Sequence, residues 1–443
     1  MNEKQKAKII LKTLNKIYPK APVPLKSKNT FTLLISVLLS PSCSNDERLE
    51  GVRKPVLIEQ KLYETNIKNQ KLALGKPRNI SSWTHGGSGS NHSLGNIAFS
   101  TDGKFSSHFK TKIGPKGSYS EPIVQNNQIF IMTPNGYIVV YNDKGQFLWE
   151  LSILPEGKGI KNDVYGGLAI NKDKLAVTSS LGELLLISVS KKRVVWRYDF
   201  KRPFRSAPIF HKGYIFGVTG DDIAISLDLK GKLRWAKKGP QKNTKVFVTV
   251  SPAASGSKVL FPFSGGSLVA LNAVNGIQLW EVNLENSNVG SASASLGDFA
   301  SDPAVFGSTI FAVGAFGETF ASKTSGRVIW RNNIQSSGRL IVSGNAAYYS
   351  SNNSSIGRIN PKNGKIVFLK SLPGKKWAKY HGPLLLQNRL LVIATDKNAY
   401  WFSAEDGTVL NKEKIGSKIS SPPIVTSKRL MFVSEDGMLN ILN

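Results

Sequence analysis

The stretch 251–284, SPAASGSKVLFPFSGGSLVALNAVNGIQLWEVNL, contains four short apolar segments at 252–255, 259–263, 267–272 and 277–282. The turn pairs Gly265-Gly266 and Asn275-Gly276 separate the later ones. Period-two alternation interrupted by such pairs predicts antiparallel hairpins. Four short strands in a unit of roughly 40 to 50 residues make one blade of a β-propeller.

Working outward from this unit, its closing motif recurs along the chain. A glycine followed four residues later by tryptophan appears as KGQFLW (Gly145, Trp149), KGKLRW (Gly231, Trp235), NGIQLW (Gly276, Trp280) and SGRVIW (Gly326, Trp330). Degenerate copies fill the gaps: KKRVVW has Lys192 before Trp196, NGKIVF ends in Phe368, and DGTVLN ends in Asn411. The glycine permits a positive φ in the turn before the fourth strand. The tryptophan can then lie against the neighbouring blade, so Trp149, Trp196, Trp235, Trp280 and Trp330 read as structural residues.

Unit starts fall near Glu121-Pro122, Gly167, Ala207-Pro208, Ser251-Pro252, Asp302-Pro303, Gly338, Gly382-Pro383 and Ser421-Pro422. Eight starts predict an all-β, eight-bladed propeller over 102–443. The last unit stops after three strands, and DGKFSSHFKTKIG at 102–114 has the look of the missing fourth. Closing the ring with strands from both chain ends removes open edges. Residues 49–101 read as an extended linker, and 1–48 as a short helical or disordered segment.

Composition limits the chemistry. The chain has 443 residues, 40% of them hydrophobic, and a single cysteine, Cys43. That amount of apolar material supports one large core or two ordinary ones. One cysteine permits no intrachain disulfide and no cysteine-based zinc or iron–sulfur site. Apolar runs are too short to cross a bilayer as a helix, the best being 31–39. Lys and Arg number 59 against 29 Asp and Glu, a formal charge of +30 that favours polyanions without choosing among them. The five histidines are scattered; His85 and His92 flank Gly86, Gly87 and Gly89, which read as a turn hugging the propeller. The carboxylates noted, Asp143, Asp173, Glu405, Asp406, Glu435 and Asp436, sit in turns, and no cluster is expected on the inner strands.

The tryptophan repeats resemble the quinoprotein-type propellers. ERLEGVRKPVLIEQ at 47–60 and SSWTHGGSGSNHSLGNI at 81–97 resemble segments of the BamB family of outer-membrane β-barrel assembly lipoproteins, alphaproteobacterial ones in particular. This resemblance implies a non-catalytic accessory lipoprotein without cofactor. It would sit on the periplasmic face of the outer membrane and bind the POTRA domains of BamA, other barrel-assembly subunits and unfolded outer-membrane proteins, but no nucleic acid. The family's partner-binding loops align here with GDFASDP, where Asp298 keeps one acid and Ala300 replaces another, and with TKVFVTVSP, where Lys245 and Phe247 are the nearest equivalents. The alternative within the same repeat class is a quinone-dependent (PQQ) dehydrogenase or a quinone-binding propeller. Those enzymes carry a vicinal cysteine pair, which Cys43 alone cannot supply.

The first residues admit two readings. In one, basic residues up to Lys28, the run FTLLISVLL and SPSC form a lipoprotein signal that makes Cys43 the lipidated residue. In the other, residues 6–48 resemble the opening of endonuclease III, a fragment without the catalytic parts, from which no nuclease activity is expected.

Overall fold

The computed structural model describes residues 71–99, 103–156, 163–204, 206–240, 250–284, 298–315, 318–334, 336, 338–351, 354–375 and 378–443. Cys43 and both readings of 1–48 lie outside them, as do Lys245 and Phe247. Among the described residues each sequence unit becomes one antiparallel sheet, and there are eight such sheets. The unit at 251–284 gives strands Ala253–Ser255, Lys258–Phe263, Ser267–Asn272 and Gln278–Asn283, within one residue of the sequence reading.

Blades 1 to 7 occupy 123–152, 166–199, 209–238, 253–283, 304–332, 341–371 and 380–414. Blade 8 takes its inner three strands from Ile424–Thr426, Arg429–Val433 and Met438–Leu442. Its outer strand is His108–Lys112, antiparallel to the last, with His108 opposite Leu442 and Lys112 opposite Met438. The ring is therefore closed by the segment expected to close it. Arg429 of blade 8 also bonds Asp143 of blade 1 at 3.0 Å.

Burial explains the composition of each strand. The second and third strands lie between neighbouring sheets and read as nearly continuous apolar runs, such as the fully buried Glu183–Ser188, ELLLIS. Outer strands alternate exposed and covered positions, as in Arg193–Asp199.

In blades 1 to 7 the outer strand carries one unpaired extra residue immediately before the motif position. Trp149 pairs with Val140 and Phe147 with Tyr141, so Leu148 is bulged. Leu279 before Trp280 and Leu410 before Asn411 repeat this. A bulge increases local twist and re-aims the side chain that follows it. It also explains why Leu148, Val195, Leu279, Ile329 and Leu410 are exposed apolar residues.

The re-aimed ring reaches the next blade. Trp196, Trp235, Trp280 and Trp330 donate their indole N–H to the carbonyls of Leu229, Ala273, Thr324 and Pro361 at 3.2, 3.3, 3.1 and 2.9 Å. A Cβ added to Gly276 (φ 70°) would lie 2.7 Å from Trp235, so only glycine lets this turn descend onto the ring. Phe109 of the closing strand takes the tryptophan's place beneath Gly145. Where Asn411 lacks an aromatic, Trp401 on the adjacent strand packs with Phe99 and Phe105 at ring distances of 6.0 and 5.7 Å.

Candidate functional site

Each inner strand has a partner on one side only, which leaves its other edge facing the axis of the ring. Unpaired backbone groups there need partners. The lead-in segment supplies them blade by blade. The amides of Val124, Ile170, Ala254 and Val305 donate to the carbonyls of Trp83, Thr84, Ser90 and Asn91 at 2.8, 2.8, 2.7 and 2.9 Å. The amide of Phe210 donates to His85 Nε2 at 3.0 Å. The amides of Asn345 and Ser427 donate to the carbonyls of Ala73 and Ile80 at 3.0 and 2.7 Å, and Asn96–Ile97 pairs parallel to the inner strand of blade 7. One stretch, 73–97, thus bonds all eight blades and plugs the axis.

Gly86 and Gly87 are where this segment turns. Gly87 has a φ of 71°, and a Cβ on either glycine would meet the Arg339 guanidinium at 3.2 Å. The expected turn is present, and its use is to let Arg339 approach. His85 accepts from an amide through Nε2, so its proton sits on Nδ1, which faces Thr84 Oγ1 at 2.9 Å. Burial, aided by His92 and His211, pushes the His85 pKa down to about 3. His92 lies between the carbonyls of Gly86 and Pro252 at 2.5 and 2.8 Å.

Directly above the plug is a cavity of about 410 Å³, lined by the residues that open the inner strands. Where the inner strands open, Gly167, Ala207 and Gly382 are small, whereas Glu121, Asp302 and Arg339 carry charge. Arg339 bonds Glu121 Oε2 through Nη1 at 2.8 Å and Asp302 Oδ2 through Nε and Nη2 at 2.9 and 2.6 Å. The remaining carboxylate oxygens are also satisfied. Glu121 Oε1 accepts from Trp83 Nε1 and the Gly87 amide, both at 2.7 Å, and Asp302 Oδ1 from the Ser251 amide at 2.6 Å. Burial works to raise the Asp302 carboxyl, but Arg339, then His92 and the Ser251 amide, hold it below its usual value. The paired carboxylates raise the Arg339 guanidinium against its own desolvation.

The sequence reading did not bring together Glu121 and Asp302, which precede the inner strands of blades 1 and 5 and share Arg339 at the axis. Their signal in sequence was an acid directly before a blade-opening proline. Asp298 lies on the connection from blade 4 to blade 5. It is 6% exposed and accepts from the Phe299 amide at 2.9 Å, so it holds its loop and is not displayed at the surface. The five motif tryptophans occupy the blade interfaces. His108 and His211 bond Asn440 and the Gly256 carbonyl separately, at 2.9 and 2.7 Å. His381 lines the axial cavity with its pKa lowered to about 4 by burial and by Lys379. The two longest connections in the sequence, 239–252 and 284–303, precede and follow blade 4, and their described ends, Ser251 and Ala300 to Asp302, line the cavity.

Known proteins share this architecture. The structure aligns with BamB from Moraxella catarrhalis at a TM-score of 0.67 and 16% identity, covering 77% of this chain and 99% of that one. It aligns with quinohemoprotein alcohol dehydrogenase from Comamonas testosteroni at a TM-score of 0.62 and 11% identity, covering 82% and 80%. The second likeness raises the question of a quinone with its metal. The donor set does not fit one. Both axial carboxylates are saturated by Arg339 and N–H groups, and among the described residues no cluster of three or more His, Cys, Asp or Glu could hold a metal ion.

In sequence, the chain is 22% identical over 332 residues to the outer membrane protein assembly factor BamB of Burkholderia pseudomallei, covering 73% of this chain and 84% of that protein. It is 20% identical over 333 residues to the protein of that name from Moranella endobia, with the same coverage. The family model described as outer membrane protein assembly factor BamB matches residues 134–370, more than half of the chain. Ring, repeat and sequence agree: the chain belongs to the BamB family.

Proposed function

We propose that this chain is a non-catalytic scaffold subunit of outer-membrane β-barrel assembly. It docks to the POTRA domains of BamA and to other assembly subunits, and assists the insertion of unfolded outer-membrane proteins. Cys43 carries the lipid anchor in this reading and holds the propeller on the periplasmic face. Family membership supports the role. The observation that carries it is the cavity face: the two longest connections in the sequence, 239–252 and 284–303, stand on either side of blade 4 and their described ends line that face, while the charged side chains at the axis are bonded to one another. Rigid scaffolds that present loops suit protein docking. Lys245 and Phe247 belong to the first connection and Asp298 to the second, where it positions the loop backbone.

Affinity purification of the full chain from envelope membranes in mild detergent tests the proposal. Barrel-assembly subunits are expected to be recovered with it. Replacing 285–297 by a short Gly-Ser turn is expected to reduce that recovery about tenfold, equivalent to roughly 1.4 kcal/mol, with the thermal midpoint unchanged. Recovery of no assembly subunit by the intact chain overturns the reading.

A further inference from the structure

At the junction of blades 1 and 2 the tryptophan is present but the glycine that should ride on it is missing. Between blades 2 and 3, 3 and 4, and 4 and 5, a glycine rides directly on the preceding tryptophan, and a Cβ there would come within 2.8, 2.7 and 2.6 Å of the ring. Between blades 1 and 2 the equivalent residue is Lys192, in the left-handed region at φ 49°. Lys192 carries the Cβ that the glycines lack, and it lines the same groove as Trp149. A groove of about 880 Å³ opens at that place, with Leu148, Trp149 and Val189 among its apolar lining and Gln128, Lys172 and Lys192 among its polar lining.

Two polar groups in this groove are unmet. The other four motif tryptophans bond a carbonyl of the next blade, whereas Trp149 Nε1 has no partner among the described residues. Gln128 Oε1 is buried without a partner. One donor and one acceptor beside an apolar lining match the C=O and N–H of an extended peptide. The groove lining carries two cations, Lys172 and Lys192, against one carboxylate, Asp173, which accepts from Ser188 Oγ and the Ser190 amide, both at 2.7 Å, so its net charge is positive by one.

We propose that this groove binds an extended polypeptide segment carrying an acidic residue beside a large apolar one. The apolar side chain packs on Leu148 and Val189, the carboxylate pairs with Lys172 and Lys192, and the backbone meets Trp149 Nε1 and Gln128 Oε1. The assignment goes beyond the assembly role and does not rest on it.

The test is fluorescence anisotropy of the full chain with a labelled, amidated octapeptide of alternating Leu and Glu. Saturable binding is expected. Lys192→Gly restores the repeat and lets the turn close on Trp149, and is expected to weaken binding about tenfold. Lys192→Arg keeps both Cβ and charge, and is expected to bind within about twofold of the wild type. Lys172→Glu is expected to weaken binding about threefold, as an exposed ion pair allows. Thermal unfolding checks that each variant is folded. Absence of saturable binding by the wild type overturns the proposal. So does undiminished binding by folded Lys192→Gly or by folded Lys172→Glu, and so does equal binding of a peptide with Lys in place of Glu.

Discussion

Arg339 belongs to blade 6, yet its guanidinium is bonded to blade 5 through Asp302 and across the axis to blade 1 through Glu121. Removing one member of a buried ion cluster leaves the others charged and uncompensated, which typically costs about 3–5 kcal/mol. Arg339→Met is close in length and cannot neutralise either carboxylate. Urea denaturation is expected to show a loss of that order, and a loss below about 1 kcal/mol would contradict the axial role given to this residue. The sequence marked Glu121 and Asp302 as blade openings because each precedes a proline. It did not reveal that their side chains meet. A repeat gives the register within each unit, whereas which of eight equivalent positions share the axis with a guanidinium depends on ring closure.

The recurrent element is the outer hairpin, with a bulge, an aromatic ring and the glycine of the following blade. Gly276→Ala would force a left-handed alanine and place its Cβ 2.7 Å from Trp235. The backbone cost and the overpacking together are expected to lower stability by about 2–4 kcal/mol in chemical denaturation. The Gly-to-Trp spacing made this element the most legible part of the chain, down to strand bounds within one residue for the unit at 251–284. Bulges were not legible. Leu148 and Leu279 look like ordinary strand residues, and only pairing with the third strand exposes the extra position. Nor could Asn411 announce its replacement, since Phe99 and Phe105 come from the opposite end of the chain.

At the scale of the whole molecule, acid should loosen the plugged ring. His85 and His381 have folded pKa values near 3 and 4, both lowered by burial. Below about pH 6.5 an unfolded histidine takes up a proton that the folded one refuses, so the unfolded state binds more protons and stability falls as pH falls. Each such histidine costs about 1.4 kcal/mol per pH unit until its folded pKa is reached. Asp302 acts in the same direction at lower pH: its depressed folded pKa contributes stability above the unfolded value, lost as pH falls through the folded one. His85→Gln can still accept from the Phe210 amide. Its unfolding free energy is expected to fall less steeply than the wild type's between pH 6 and about 4, and identical slopes would remove His85 from this account. The axis also opposes the chain's overall sign, with two carboxylates to one guanidinium in a protein of formal charge +30.

The strand Asn96–Ile97 of the plug and the closing strand His108–Lys112 both precede blade 1 in the sequence, while their partners lie in blade 7, at Leu385 and Leu386, and in blade 8, at Met438–Leu442. During synthesis the ribosome therefore releases two β-segments long before their partners exist. The closing strand must stay uncommitted through the translation of seven blades, and the arrival of Met438–Leu442 sets the moment at which the newborn chain can fasten.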